Sequence, residues 1–182
     1  MTIKLRTVQD RDYEQIEELY ESAFPENERA PLFLLVLRAH QGRGKMLTVS
    51  DRGRFIGFVY LVCREDIVYV FYLAITPKAR GMGYGSTVLR AIQSLYSGRR
   101  IFIAREQLDK KAENYSERVK RREFYIKNGF MDIPSCIKEG NVVYDVMTTG
   151  GDISPREYDR LITGFTGHIM KLFIDMRLIR KK

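Results

Sequence analysis

A glycine-rich segment in the middle of the chain constrains its fold and chemistry most strongly. An apolar, strand-like run ends near residue 75, a short Pro-containing turn follows, and glycines then occupy positions 81, 83 and 85. A helical pattern begins directly afterwards and extends to Tyr96. Closely spaced glycines let the backbone approach a ligand, and a helix start adds its own unpaired N–H groups. The segment therefore predicts a phosphate-binding loop between a strand and a helix.

Several classes of site use glycines in this way, and the sequence separates some of them. A Walker A loop requires Gly-Lys-Ser/Thr, but Gly85 is followed directly by Ser86, so this class is excluded. A dinucleotide fingerprint requires G-x-G-x-x-G directly after a strand, whereas here residues 76–80 intervene. Glu106 lies roughly as far downstream in the sequence as the acidic residue that contacts the ribose in dinucleotide-binding proteins, so the dinucleotide interpretation stays open. A purely structural turn is the remaining alternative.

The length and composition predict one globular domain. A chain of 182 residues can bury a core without disulfide or metal support. No apolar run approaches the roughly 20 residues that a membrane-spanning helix needs, and the first residues contain no signal-peptide core. Cys63 and Cys136 lack metal-ligand spacing. We therefore expect reduced thiols, no metal and a cytoplasmic protein.

The net charge of +8 predicts anionic partners without choosing among them. Basic residues cluster at 118–122 and in the tail beyond residue 170. Neither cluster carries the interleaved aromatic residues of a base-stacking surface. We therefore interpret both clusters as solvated faces and do not expect nucleic acid as a partner.

The order of elements follows from hydrophobic periodicity and turn residues. Helices are predicted over residues 13–23, 32–39, 87–96 and 115–127. Strands are predicted over residues 46–50, 54–63, 67–75, 101–105, 130–137 and 142–148. Because the turns before and after residues 54–63 are short, the first three strands should form antiparallel hairpins.

Two further helices are predicted after Gly150 and Gly151. Ser154, Pro155 and Glu157 have the pattern of a capping box with proline at the first helical position. A last helix from Gly167 is predicted from apolar residues on one side, namely Ile169, Leu172, Phe173, Met176 and Ile179. We expect this basic amphipathic helix to pack on the domain or on a second subunit of a homodimer, and not on a membrane.

Two blocks of the sequence resemble the GNAT superfamily of N-acetyltransferases. Residues 80–85 match R/Q-x-x-G-x-G/A, the acetyl-coenzyme A signature of that superfamily, and residues 124–130 resemble its l-Y-x-x-x-G-F segment. The resemblance spans roughly residues 3–148. It implies an α/β fold with a mixed, mostly antiparallel sheet, helices on both faces and the C-terminal helices in addition. We therefore place an acetyltransferase domain at residues 1–149 and a helical extension at 150–182.

The resemblance implies acetyl-coenzyme A (acetyl-CoA) as co-substrate and direct acetyl transfer to a primary amine, without a metal or a covalent enzyme intermediate. The N–H groups of the glycine segment would bind the diphosphate at the helix start. Pantetheine would lie beside the fourth strand, where an N–H polarises the thioester carbonyl. The implied cofactor-binding residues of these elements are Leu73, Ala74, Ile75, Arg80, Gly81, Met82, Gly83, Tyr84, Gly85 and Ser86.

Tyr125 matches the tyrosine that protonates the departing thiolate in many relatives; a packed aromatic residue is the alternative. Many relatives also have a glutamate base in the middle of the fourth strand, where this chain has Tyr69. A phenol with a pKa near ~10 is a poor base at neutral pH. We therefore consider Glu106 first and Glu28 second as the base. Each could instead be a solvated or ion-paired carboxylate, and water alone could suffice.

Relatives often have asparagine and a small residue before the tyrosine, in contact with the cofactor. The corresponding positions here hold Arg118 and Arg121, and Asn114 lies one turn earlier on the same broad helix face. We hypothesise that Asn114, Arg118, Arg121 and Tyr125 contact the cofactor. One of the arginines would bind a cofactor phosphate as a charge-assisted pair.

The acceptor site of the superfamily is shaped by the first two helices and the last two strands, which points to residues 24–39 and 134–145. Acidic residues there that could attract a cationic amine are Glu26, Glu28, Glu139 and Asp145. The sequence does not distinguish a polyamine, an aminoglycoside, an amino acid and a peptide N-terminus. The alternative function is a non-catalytic acyl-CoA-binding or regulatory module, because Tyr69 stands in place of the usual base.

Overall fold

The computed structural model describes residues 2–140, 142–167 and 176–180. The helices are α1 (Tyr13–Ala23), α2 (Leu32–His40), α3 (Tyr84–Leu95), α4 (Tyr115–Lys127) and α5 (Pro155–Thr166). The strands are β1 (Ile3–Thr7), β2 (Lys45–Asp51), β3 (Arg54–Arg64), β4 (Ile67–Ile75), β5 (Arg100–Glu106), β6 (Met131–Glu139), β7 (Val142–Thr149) and β8 (Met176–Arg180). The predicted elements before residue 167 are confirmed, although α3 begins at Tyr84 rather than at Thr87.

The strands of the described residues form one sheet in the order β1-β2-β3-β4-β5-β7-β6-β8. Most neighbouring strands are antiparallel, whereas β4 and β5 are parallel and pair residues 67–69 with residues 100–102. A parallel pair needs a long crossover connection, which the glycine segment and α3 supply. The sheet therefore confirms the predicted mixed α/β class.

The chain divides into two compact units, residues 1–62 with 70–95 and residues 63–69 with 96–182. In the first unit, β3 and β4 approach closely at Gly57, where a Cβ atom would collide with the carbonyl oxygen of Ala74. The buried phenol of Tyr60 donates a hydrogen bond to the carbonyl of Leu35 at 2.9 Å. This bond fastens α2 to β3 inside an otherwise apolar core.

In the second unit, Arg100 at the start of β5 binds three residues that are distant from one another in the sequence. Its guanidinium donates to Asp66 at 2.7 Å, to Glu157 at 2.6 Å and to the carbonyl of Asp152 at 2.7 Å. The amide of Ser154 donates to the Glu157 carboxylate at 2.9 Å, and the Glu157 amide donates to the Ser154 hydroxyl at 3.3 Å. The predicted capping box of α5 is therefore confirmed, and Arg100 ties that box to the sheet.

The prediction of a helix was wrong for the last described segment. Residues 176–180 form β8, which pairs antiparallel with β6. Met176 and Leu178 are buried, whereas Arg177 and Ile179 are exposed, which is the alternation of a strand with one face on the core. Met176 and Ile179 are three positions apart, as on one face of a helix, whereas Met176 and Leu178 are two positions apart, as on one face of a strand. Five residues are too few to separate these two patterns. The other predicted helix residues, Ile169, Leu172 and Phe173, lie outside the described residues.

The domain boundary after residue 149 and the homodimer stay predictions. Residues 176–180 add an edge strand to the sheet, beside β6. A sheet edge offers unpaired N–H and C=O groups, and β8 satisfies those of β6.

We expect Glu157→Gln to lower the free energy of unfolding by about 1–2 kcal/mol at pH 7. Hydrogen bonds from Arg100 and then from Ser154 lower the pKa of Glu157 to about 2 from an ordinary value of 4.5. Because the folded-state pKa is depressed, the carboxylate stabilises the fold above pH 4.5, and this contribution is lost as the pH falls toward 2.

Urea unfolding as a function of pH tests this expectation. The difference between Glu157→Gln and the wild type should shrink steadily on the acidic side. Glu117→Gln, at an exposed first-turn glutamate of α4, is the matched control and should show a small difference that does not follow this profile. A difference for Glu157→Gln that is independent of pH would contradict the assignment of the ion pair.

Candidate active site

The glycine segment forms a tight loop between β4 and α3 in the first unit. A short 3-10 helix spans Pro77–Ala79, and the Arg80 side chain donates to the carbonyl of Ile75 at 3.0 Å. Gly81 and Gly83 have φ values of 75° and 83°, in the left-handed region that favours glycine. A Cβ atom at either position would meet no heavy atom within 4 Å. These glycines are therefore required by backbone conformation and not by crowding.

The loop presents its amides at the start of α3. The first hydrogen bond of this helix runs from the amide of Thr87 to the carbonyl of Gly83 at 3.1 Å. Among the described residues, the amides of residues 82–86 have no backbone acceptor outside the helix. Unpaired amides at the positive end of a helix dipole are the elements of an anion site. The geometry fits the predicted binding of a phosphate group.

Two tyrosine hydroxyls hold the loop between α1 and α2, in the same unit. Tyr72 on β4 accepts from the amide of Ala30 at 3.0 Å and donates to the carbonyl of Glu28 at 3.1 Å. Tyr20 donates to the carbonyl of Ala30 at 2.8 Å, and its ring lies edge-on to that of Tyr72. The loop that carries Glu26 and Glu28 is therefore fixed by side chains that sequence reasoning missed, since the partners are far apart in sequence.

Glu106 lies at the end of β5 in the second unit and is enclosed by donors from α4 and the turn before it. Asn114 donates to its carboxylate at 3.0 Å, Arg118 lies 3.3 Å from it, and Arg121 forms a second ion pair with it. Arg118 also donates to the side chain of Asn114 at 2.7 Å and to the carbonyl of Gln107 at 2.8 Å. The predicted base Glu106 and three predicted cofactor contacts, Asn114, Arg118 and Arg121, therefore form one cluster around the Glu106 carboxylate.

Tyr125 occupies the last part of α4, where its ring packs against Phe124 and Phe130 with centroid distances of 5.3 and 5.9 Å. The amides of Asn128 and Phe130 both donate to the carbonyl of Tyr125 as the chain leaves the helix at Gly129. Desolvation raises the pKa of the Tyr125 phenol, and the Arg121 guanidinium opposes this effect. At neutral pH the phenol therefore keeps its proton and can donate it.

Tyr69 does not have the surroundings of a general base. It is buried, and its ring stacks on Phe102 with a centroid distance of 4.3 Å and an interplanar angle of 12°. Tyr158 of α5 lies against the other rings of this group, 6.5 Å from Tyr69 and 6.2 Å from Phe102. The residue in place of the usual glutamate is thus part of an aromatic core.

A buried arginine beside Glu106 was also missed by sequence reasoning. The side chain of Arg105 is 4% exposed and contacts Asp132 at 2.7 Å and Asp145 at 3.2 Å. Burial alone would raise the pKa of Asp132, but hydrogen bonds from Arg105 and Arg122 lower it below its ordinary value. Gln107 donates to Asp145 at 3.1 Å. Asp145 was a candidate for attracting a cationic amine because of its position in the sequence. In the structure its carboxylate is instead ion-paired with Arg105 and accepts a hydrogen bond from Gln107.

The site residues fall into two sets, one in each compact unit. The glycine loop, residues 73–75 and Glu28 belong to the first unit, whereas Glu106, Asn114, Arg118, Arg121 and Tyr125 belong to the second. Cys63 and Cys136 are not joined in a disulfide. Within the described ranges, no three His, Cys, Asp or Glu side chains are grouped so that they could hold a metal ion, and no helix has the length and apolarity to span a membrane.

Comparison with sequence profiles of known families shows the family of the chain. The sequence profile of the acetyltransferase (GNAT) domain matches residues 42–132, which include the glycine loop, Glu106 and Tyr125. No curated protein sequence matches the chain.

Solved structures share the fold at low identity. A protein from Bacteroides thetaiotaomicron assigned to the GNAT family of acetyltransferases is 24% identical, with a TM-score of 0.68, and the match covers 86% of this chain and 92% of that one. PaiA N-acetyltransferase from Thermoplasma acidophilum, in complex with coenzyme A, is 17% identical, with a TM-score of 0.57 and coverage of 82% and 99%.

An aminoglycoside 6′-N-acetyltransferase, also in complex with coenzyme A, is 14% identical, with a TM-score of 0.61 and coverage of 82% and 96%. These likenesses show the fold, and the profile match to half of the sequence shows the family. The chain belongs to the GNAT family of acetyltransferases.

Proposed function

We propose that the protein transfers the acetyl group of acetyl-CoA directly to a primary amine. The observation that carries this proposal is the loop at Gly81 and Gly83, which precedes α3 and whose following amides, those of residues 82–86, have no backbone acceptor outside the helix within the described part of the chain; it lies inside the region matched by the family profile. An amide nest at a helix start binds a diphosphate well, and coenzyme A (CoA) carries one.

The acetyl donor would lie along β4. The amides of residues 82–86 would bind the diphosphate, and the backbone of Leu73, Ala74 and Ile75 would run beside the pantetheine. The short β4–β5 ladder supports this placement, because the pairing stops at Tyr69 and leaves residues 70–75 beyond it. An N–H of β4 would then stabilise the charge that develops on the thioester oxygen.

The chemical step is nucleophilic attack of the amine nitrogen on the thioester carbonyl carbon. A tetrahedral intermediate forms, the carbon–sulfur bond breaks, and an amide and the CoA thiolate result. Tyr125 would donate its proton to that thiolate, since a phenol with an ordinary pKa of 10, raised further by desolvation, is protonated at neutral pH. The amine loses a proton to a base or to water, and this balances the proton that Tyr125 gives up. Tyr125 is left as a phenolate, which regains a proton from solvent before the next turnover.

The base that takes the proton from the amine would be Glu106, Glu28 or a water molecule. Both oxygens of Glu106 are bound by donors, from Asn114 and Arg118 on one side and from Arg121 on the other. A carboxylate whose two oxygens are both held by fixed donors is not free to approach an incoming amine. This favours Glu28 or a water molecule over Glu106. The four-residue cluster would instead serve the cofactor, if Arg118 or Arg121 turns to a phosphate.

The test is release of the CoA thiol with a panel of amines: a polyamine, an aminoglycoside, an amino acid and a peptide N-terminus. We expect saturable turnover with at least one class. Tyr125→Phe should then lower kcat by roughly 100-fold with little change in the KM for acetyl-CoA, since the lost hydroxyl acts on the leaving thiolate.

Tyr115→Phe is the matched control, because Tyr115 begins the same helix and loses the same atom. It should retain wild-type kinetics. Binding of acetyl-CoA without turnover of any amine would support the alternative, a non-catalytic acyl-CoA-binding module. Equal effects of the two substitutions would show that Tyr125 has a packing role.

A further inference from the structure

A turn rich in arginine lies beside the start of α3. Arg52 and Gly53 connect β2 and β3, and their φ values of 49° and 81° are both positive, as in a type I′ hairpin. Asp51 and Arg54 are cross-strand partners on either side of these two residues. Side chains of such partners leave the same face of the hairpin. We call residues 51–54 the basic turn.

Two hydrogen bonds fix the basic turn next to the glycine loop. The hydroxyl of Tyr84, the first residue of α3, donates to the Asp51 carboxylate at 2.8 Å. The amide of Thr76, which enters the glycine segment, donates to the carbonyl of Ile56 on β3 at 2.8 Å. Because Arg54 shares a face with Asp51, its side chain leaves the hairpin on the side of α3.

The charges of the basic turn are not balanced by nearby carboxylates. Arg52 and Arg54 are exposed, and neither forms an ion pair with a carboxylate among the described residues. Asp51 is the sole acidic residue of the basic turn and of residues 76–86, and it already accepts from Tyr84. That hydrogen bond raises the pKa of Tyr84, whereas Arg52 and Arg54 act in the opposite direction. Both guanidiniums are therefore within electrostatic range of the helix start.

We propose that Arg52 and Arg54 of the basic turn bind the 3′-phosphate of CoA. This inference rests on the proposed function, in which the glycine loop binds the diphosphate of the same molecule. The 3′-phosphate is a monoester whose second pKa is about 6, so it is mostly a dianion at neutral pH. Guanidinium forks match its oxygens in a bidentate manner. A ligand without this phosphate would leave both arginines without an anionic partner.

The test is calorimetric titration of the full chain with CoA and with 3′-dephospho-CoA. The wild type should bind CoA roughly tenfold more tightly or better, since each charge-assisted contact contributes measurably. The double variant Arg52→Gln, Arg54→Gln should bind both ligands alike, at the affinity that the wild type has for 3′-dephospho-CoA. The preference of the wild type should weaken with added salt, because both arginines are exposed.

The matched control is Arg11→Gln, Arg43→Gln, which removes the same charge from two exposed arginines of the same unit. Arg43 precedes β2 and therefore lies at the opposite end of that strand from Asp51. The control should keep the preference for CoA. Thermal unfolding should show that both double variants remain folded.

Equal affinity of the wild type for the two ligands would overturn the inference while leaving the diphosphate site intact. The inference also fails if the double variant weakens both ligands by one factor, because that is a general effect of charge. Failure of the wild type to bind either ligand would overturn the proposed function, and this inference with it.

Discussion

Gly83→Asp is expected to abolish CoA binding and acetyl transfer while the protein stays folded. The added carboxylate would stand at a position with open surroundings, directly before the first amides of α3. Like charges brought together at a binding site cost several kcal/mol, so affinity should fall by roughly 100-fold or more. Calorimetric titration with CoA measures the loss directly, and thermal unfolding measures the stability.

A control for the backbone is needed, because any residue other than glycine is strained at a φ of 83°. Gly98 has a φ of 79° and equally open surroundings, and it follows α3 instead of preceding it. Gly98→Asp should therefore lose a similar amount of stability but keep its affinity for CoA. If Gly83→Asp and Gly98→Asp bind CoA equally well, the diphosphate does not lie at Gly83.

Arg105→Met should lower the free energy of unfolding by about 3–5 kcal/mol, the usual cost of removing one partner of a buried ion pair. The Arg105 side chain is 4% exposed and bridges Asp132 at 2.7 Å and Asp145 at 3.2 Å. Asp132 keeps a second partner in Arg122 at 2.7 Å, whereas the Asp145 carboxylate keeps the amide of Gln107. The cost therefore arises mainly from Asp145, whose side chain is 10% exposed.

Urea unfolding of three variants separates this cause from a loss of packing. Adding Asp145→Asn to Arg105→Met should recover part of the stability, because the uncompensated charge is removed. Arg156→Met, at an exposed arginine of α5, should change the stability little. A double variant no more stable than Arg105→Met would show that the buried charge of Asp145 is not responsible.

The sequence predicted the parts of the structure that depend on neighbouring residues. Alternating and helical patterns located most strands and helices, and Ser154 with Glu157 located the start of α5. The glycines at 81 and 83 lie in the loop between a strand and a helix that their spacing predicted, and they have positive φ values there. Each of these features is set by local backbone preference, so a single sequence contains the information.

Features that join distant residues could not be predicted in this way. Arg105 contacts Asp132 and Asp145, and the partners of Glu106 come from α4 and the turn before it. Nothing in the spacing of these charges indicates that they meet. The strand at residues 176–180 depends on the free edge of β6, and a short apolar pattern fits a strand or a helix. Pairing with β6 makes this segment a strand.

We propose that the amides around Gly83 hold the diphosphate of CoA, and nitrogen–proton correlation NMR of the full chain observes these amides one by one. On titration with CoA, the amide resonances of residues 82–86 should shift together and saturate with one affinity, and their hydrogen exchange should slow. The amide of Gly98, at the other end of α3, should stay unchanged. Saturable CoA binding that leaves the amides of residues 82–86 unmoved would contradict this claim.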